Sequence, residues 1–111
     1  MFIAVAIGAF GAHMLKERLT TYGLDIFKTA SLYHFIHAFG LFIVAWIRSK
    51  DETSKINKAG FCFVIGIILF SGSLYALAIT QIKILGAITP LGGLAFLIGW
   101  ALIFFNTKTN A

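Results

Sequence analysis

Three histidines stand inside or beside long uncharged runs: His13, and the pair His34 and His37 with Tyr33 next to them. Residues three and four apart share one side of a helix, so His34 and His37 face the same way and Tyr33 sits one turn from His37. A neutral imidazole ligates a metal, shuttles a proton or hydrogen-bonds a quinone-like carbonyl. Further along, the run FSGSLYAL, residues 70–77, places Ser71, Ser73 and Tyr75 in an otherwise oily stretch. His13, Tyr33, His34, His37, Ser71 and Tyr75 are therefore the candidate ligand-binding set, around an interior pocket for a small hydrophobic or redox molecule.

Each of these residues also has a plainer use. Imidazoles and hydroxyls at membrane depth hydrogen-bond Ser, Thr, Tyr or backbone groups of a neighbouring helix, and a Ser in a helix also bonds the carbonyl four residues back. That use is favoured here. Bis-histidine haem needs imidazoles from two helices facing each other at one depth, which nothing in the sequence demands. Structural zinc lacks a fourth ligand. The single cysteine, Cys62, lies in an apolar run and reads as a small buried hydrophobe. Ser71 and Ser73 have no base and acid in their own block, and a bare Gly-Ser without the full nucleophile-elbow context carries no catalytic signal. Gly92 and Gly93 after Pro90 could cradle a phosphate at a helix start, but close helix packing explains them more cheaply. No catalytic residue, metal or cofactor is expected.

The elements that must position these side chains are set by composition. Of 111 residues, 59% are hydrophobic and 12% charged, and the mean hydropathy is +0.94. Soluble domains carry about twice that share of charge. So few charges cannot cover so much apolar surface in water, and the solvent for the outside of this molecule is lipid. The net charge of +5 does not indicate nucleic acid. The nine Lys and Arg fall between apolar blocks or at the chain end, as headgroup anchors do, and form no basic stripe interleaved with stacking aromatics.

Four apolar blocks follow one another, predicting an all-α, four-helix transmembrane bundle in one domain, with helices at about 1–19, 21–48, 59–80 and 90–105. The first block, residues 1–15, gives only about 22 Å of helix against a hydrocarbon core of about 30 Å. It has no basic region before it and no convincing cleavage site, so a removed signal peptide is not expected. Thr20 or Thr21 would cap a second helix entering from the interface, and Trp46 with Arg48 marks that helix's far end. Residues 48–58, RSKDETSKINK, read as a solvated loop. The third block, 59–79, is the clearest span, at about 32 Å. Thr89 followed by Pro90 resembles an N-cap and first helical position.

Helices in lipid associate by close packing, which favours small residues four apart. Ala4, Gly8 and Ala12, then Gly72 with Ala76, then Ala95 with Gly99, supply that spacing in three blocks and are the expected packing contacts. No Asp or Glu falls within a span, which lowers a transporter reading. With four spans, Lys16, Arg18, Lys28 and Lys83 lie on one side, against Arg48, Lys50, Lys55, Lys58 and Lys108 on the other. The slight excess favours both termini in the cytoplasm.

GAFGAH at 8–13, the TxxxYHxxH pattern from Thr29 to His37, LFSGSLY at 69–75 and ITPLGGxxFLxGW from Ile88 to Trp100 resemble the small membrane family called domain of unknown function 423. The resemblance covers nearly the whole chain, although family members usually have several more residues before GAFGAH. It implies a multi-pass protein of the bacterial plasma membrane and brings no established activity with it. The expected role is a non-enzymatic packing or interaction module. Its partners are the lipid bilayer and a second copy or another membrane protein, with no nucleic acid. The alternative is the ligand binder or carrier outlined above.

Overall fold

The computed structural model describes residues 1–51 and 55–109, the side chains of Ala12 and of residues 107–109 excepted. Four helices account for almost all of it, with no strand among the described residues. They are α1, Phe2–Leu15; α2, Thr21–Lys50; α3, Asn57–Thr80; and α4, Thr89–Thr109. Residue 52, one of the four acids, and residues 53, 54, 110 and 111 lie outside the described residues.

Local chemistry explains most of the boundaries. α1 stops at Leu15, where the carbonyl of Leu15 accepts from both Arg18 and Leu19 in a turn at 3.0 Å. Its 14 residues reach only about 21 Å, and Ala6–Gly11 is wound as a wider π-helix. α2 begins where the Thr20 hydroxyl accepts the N–H of Gly23 at 2.9 Å, satisfying one of the donors a helix start leaves open. It runs 30 residues, about 45 Å. Arg48 and Lys50 in its last turn meet the negative end of the helix dipole, and Lys50 lies over the Trp46 ring at 5.9 Å.

α3 changes to π-helix over Ile67–Gly72 and returns to α. It ends on Gln81, which takes the left-handed conformation with φ 60° and donates its N–H to the Leu77 carbonyl at 2.8 Å. Thr80 helps the exit, donating to the Ala76 carbonyl at 2.7 Å and accepting from the Ile82 N–H at 3.3 Å. A short 3₁₀ turn, Lys83–Ala87, leads into α4, which starts at Thr89, one residue before the proline.

α3 is the central element. It packs along α2 on one side and α4 on the other, while α1 lies against α2. The body is flattened, 49 × 26 × 15 Å. Large apolar side chains such as Phe10, Phe39, Phe42, Phe61, Ile68 and Leu97 face outward, as they must where lipid is the surroundings.

The close approaches fall on glycines, most of them filled by an aromatic ring. Phe63 of α3 sits between Gly40 of α2 and Gly99 of α4; a Cβ on either glycine would come within 2.8 and 2.6 Å of its ring. Phe96 of α4 fills the space over Gly66, and a Cβ on Gly92 would fall on the backbone nitrogen of Phe70. Val44, Ile56, Ala59, Phe63 and Phe96 form the core around these contacts.

The expected packing residues divide. Ala4 is fully buried, and Gly8 lies against Phe35 and Ser31 of α2. Gly99 is buried against Phe63, and Ala76 and Ala95 are half-buried. The side chain of Ala12 lies outside the described residues. Gly72 is exposed, with only the Ile67 carbonyl near, 3.8 Å from where a Cβ would stand. It shares the outward face of α3 with Phe61, Ile65 and Ile68, so its spacing to Ala76 marks no helix contact here.

Candidate functional site

The polar side chains at membrane depth form two separate groups. His37, near the middle of α2, is 3% exposed. Its Nδ1 lies 2.8 Å from the Tyr33 carbonyl one turn back. Its Nε2 accepts the indole N–H of Trp100 on α4 at 2.9 Å. A carbonyl only accepts and an indole N–H only donates. The proton therefore resides on Nδ1, and the imidazole is neutral. The ring lies flat on Phe96, with centroids 3.4 Å apart and planes within 8°, and meets Phe63 edge-on at 5.3 Å. Tyr33 extends the cluster toward Phe70, 4.5 Å between centroids.

His34, one turn back on α2, faces α3. Its Nδ1 is 3.0 Å from the Tyr75 hydroxyl, and the Tyr75 ring rests on Phe27 at 5.2 Å. Beside it, the buried Ser71 hydroxyl donates across to the Ala30 carbonyl of α2 at 2.8 Å. Ser73 donates to the Phe70 carbonyl at 2.9 Å and lies 2.7 Å from the Thr89 hydroxyl, joining α3 to the start of α4. Among the described residues every buried side-chain nitrogen or oxygen has a partner.

The interior pocket expected from the sequence is not assembled. His13 is exposed at the end of α1 and joins neither group. His34, Ser71 and Tyr75 bind α2 to α3, while Tyr33 and His37 border a different space, a groove of ≈ 680 Å³ between α2 and α4. Its rims are the outward-facing Leu32, Ile36, Leu94 and Leu97, and its floor is Phe70, Phe96 and Trp100. It opens sideways toward lipid and is overwhelmingly apolar. Among the described residues no group of three His, Cys, Asp or Glu stands close enough to hold a metal ion.

In the sequence Trp100 stands out only as part of a motif, with no role in the site. The available signal was its position. A tryptophan five residues inside the end of an apolar run is too deep for the interface and carries an N–H that requires an acceptor.

The apolar helices, outward-facing hydrophobic surface and internally paired polar groups define a multi-pass α-helical membrane protein. The chain belongs to the family described as protein of unknown function DUF423, whose model matches residues 7–93. It is 50% identical over 102 residues to the UPF0382 membrane protein YwdK of Bacillus subtilis, covering 91% of this chain and 83% of that one. It is also 45% identical to a UPF0382 membrane protein of Staphylococcus epidermidis, over 95% of this chain and 85% of the relative. The UPF0382 membrane protein SSP2132 of Staphylococcus saprophyticus is 43% identical, with 95% and 87% covered. No solved structure matches the chain.

Proposed function

We propose that the chain is a non-catalytic packing and interaction module of the bacterial plasma membrane, working without a cofactor and with both termini in the cytoplasm. In this reading its buried polar groups fix its own helices, and its apolar outer surface meets lipid and either a second copy or another membrane protein. The observation that carries it is the commitment of the His37 ring. Both nitrogens are engaged by the protein itself, by the Tyr33 carbonyl and the Trp100 indole, and one face is covered by Phe96. An imidazole held in this way is a structural cross-link between helices, with no nitrogen left to ligate a metal or take up a further proton. His34 serves α2 and α3 in the same manner through Tyr75.

Native mass spectrometry of the detergent-purified protein, with an absorbance spectrum of the same sample, tests this. The expected result is a mass of polypeptide plus lipid, with a defined subunit number and no Soret band. A stoichiometric small-molecule ligand or a haem spectrum overturns the reading. Cysteines introduced at Lys50 and Lys83 in a Cys62→Ala background test the orientation. Labelling of Lys50→Cys by an impermeant reagent in intact cells would reverse it.

A further inference from the structure

A second cleft, of ≈ 490 Å³, lies at the opposite end of α2 from its Thr20 cap and is bounded by Leu41, Val44, Ala45, Arg48, Ser49 and Asn57. We propose that it is a binding site for one anionic phospholipid, its phosphate at Arg48 and Asn57 and an acyl chain along Ala45, Val44 and Leu41. Counting back from Arg48, the apolar residues stand three, four and seven positions away. They therefore form one stripe running about 10 Å down the helix axis. A polar head at one end of such a stripe and hydrocarbon along the rest is the shape of a phospholipid lying parallel to a transmembrane helix.

The level is right as well. Arg48 follows Trp46 in the last turn of α2, and Asn57 opens α3, so both stand where apolar helix gives way to solvated loop. A guanidinium carries five donors in a planar fork and serves several acceptors at once, phosphate among them. The α3 start adds the positive end of its helix dipole, although the N–H groups of Lys58 and Ala59 are already bonded to the Lys55 and Ile56 carbonyls. Ser49 is not one of the phosphate donors, because its hydroxyl proton is committed to the Trp46 carbonyl at 2.6 Å.

The test is native mass spectrometry of the delipidated full chain in neutral detergent. It would be titrated separately with dioleoylphosphatidylglycerol, dioleoylphosphatidylcholine and inorganic phosphate. One phosphatidylglycerol is expected to bind roughly ten-fold more tightly than phosphatidylcholine: both present the phosphate, but choline sets a fixed positive charge beside Arg48. Arg48→Gln should remove most of that preference, and Asn57→Ala, which takes away one phosphate donor, should weaken both lipids. Lys58→Gln, which removes a charge at an exposed position outside the cleft, should leave the preference intact. Equal binding of the two lipids overturns the proposal. So does an equal loss in Lys58→Gln, which would reveal diffuse surface charge. Phosphate that displaces the lipid at comparable concentration would make this a free-anion site and likewise overturn the proposal. Circular dichroism of each variant separates loss of the site from loss of the fold.

Discussion

Trp100 donates its indole N–H to Nε2 of His37 across 2.9 Å, joining two helices whose backbones hardly approach each other. The bond reaches over α3 beside Phe63, whose ring is 4.8 Å from Trp100 and 5.3 Å from His37. It ties the last long helix to the second at the depth where water is scarcest.

Replacing Trp100 by Phe should leave Nε2 of His37 without a donor and lower stability by about 1 kcal/mol, within the range measured for interhelical hydrogen bonds in membranes. His37→Phe alone should strand the indole N–H at similar cost. The double replacement should cost less than the sum, because neither orphan remains. Unfolding in mixed micelles with increasing dodecyl sulfate, analysed as a double-mutant cycle, reads the coupling. Strict additivity would show that the bond contributes nothing.

Gly92→Ala and Gly72→Ala are chemically identical changes with opposite expectations. At Gly92 the new methyl meets the Phe70 backbone, so α3 and α4 must separate, with a loss of about 2 kcal/mol or more. At Gly72 the position is open, and the gain in helix propensity of up to about 1 kcal/mol should make the variant neutral or slightly more stable. Thermal or dodecyl sulfate midpoints of the pair decide the matter.

Tyr75→Phe should destabilise more than Ser71→Ala. The first leaves Nδ1 of His34 without its partner. The second removes a donor from the Ala30 carbonyl, which α2 already employs in its own helix, and strands nothing. About 1 kcal/mol for the tyrosine and about 0.5 for the serine are expected from the asymmetry between orphaned and simply removed partners. The reverse order would mean that the Ser71 bond dominates the α2–α3 seam.

His13→Ala should change the unfolding free energy by less than about 0.5 kcal/mol, the usual range for an exposed site. It should also leave the lipid content of the purified protein unchanged. A large effect, or loss of a co-purifying molecule, would show that His13 acts together with the interior histidines.

The spans were legible because they depend on composition and length: a run of about 20 uncharged residues is a helix in lipid whatever its neighbours do. A threonine cap at 20 or 21 could also be read from residue type and place, and the structure selects Thr20. Rotation about the helix axes could not. A soluble helix declares its inward face by polarity, whereas α2 and α4 are nearly uniform around their circumference. Spacing alone therefore could not tell the outward Gly72 from the inward Gly66, nor show that His34 turns to α3 while His37 reaches α4. The glycines that matter most, Gly40 and Gly66, are those with an aromatic ring opposite on another helix, and that pairing belongs to the tertiary arrangement.

The thinness of the body has a consequence of its own. With 15 Å in its shortest direction, no atom is more than about one helix diameter from the surrounding acyl chains. There is no deep interior in which a stray donor or acceptor could be hidden or hydrated. Each imidazole, hydroxyl and indole must find its complement on an adjoining rod, and a surfactant able to wedge between rods would reach every one of those pairings at the same stroke.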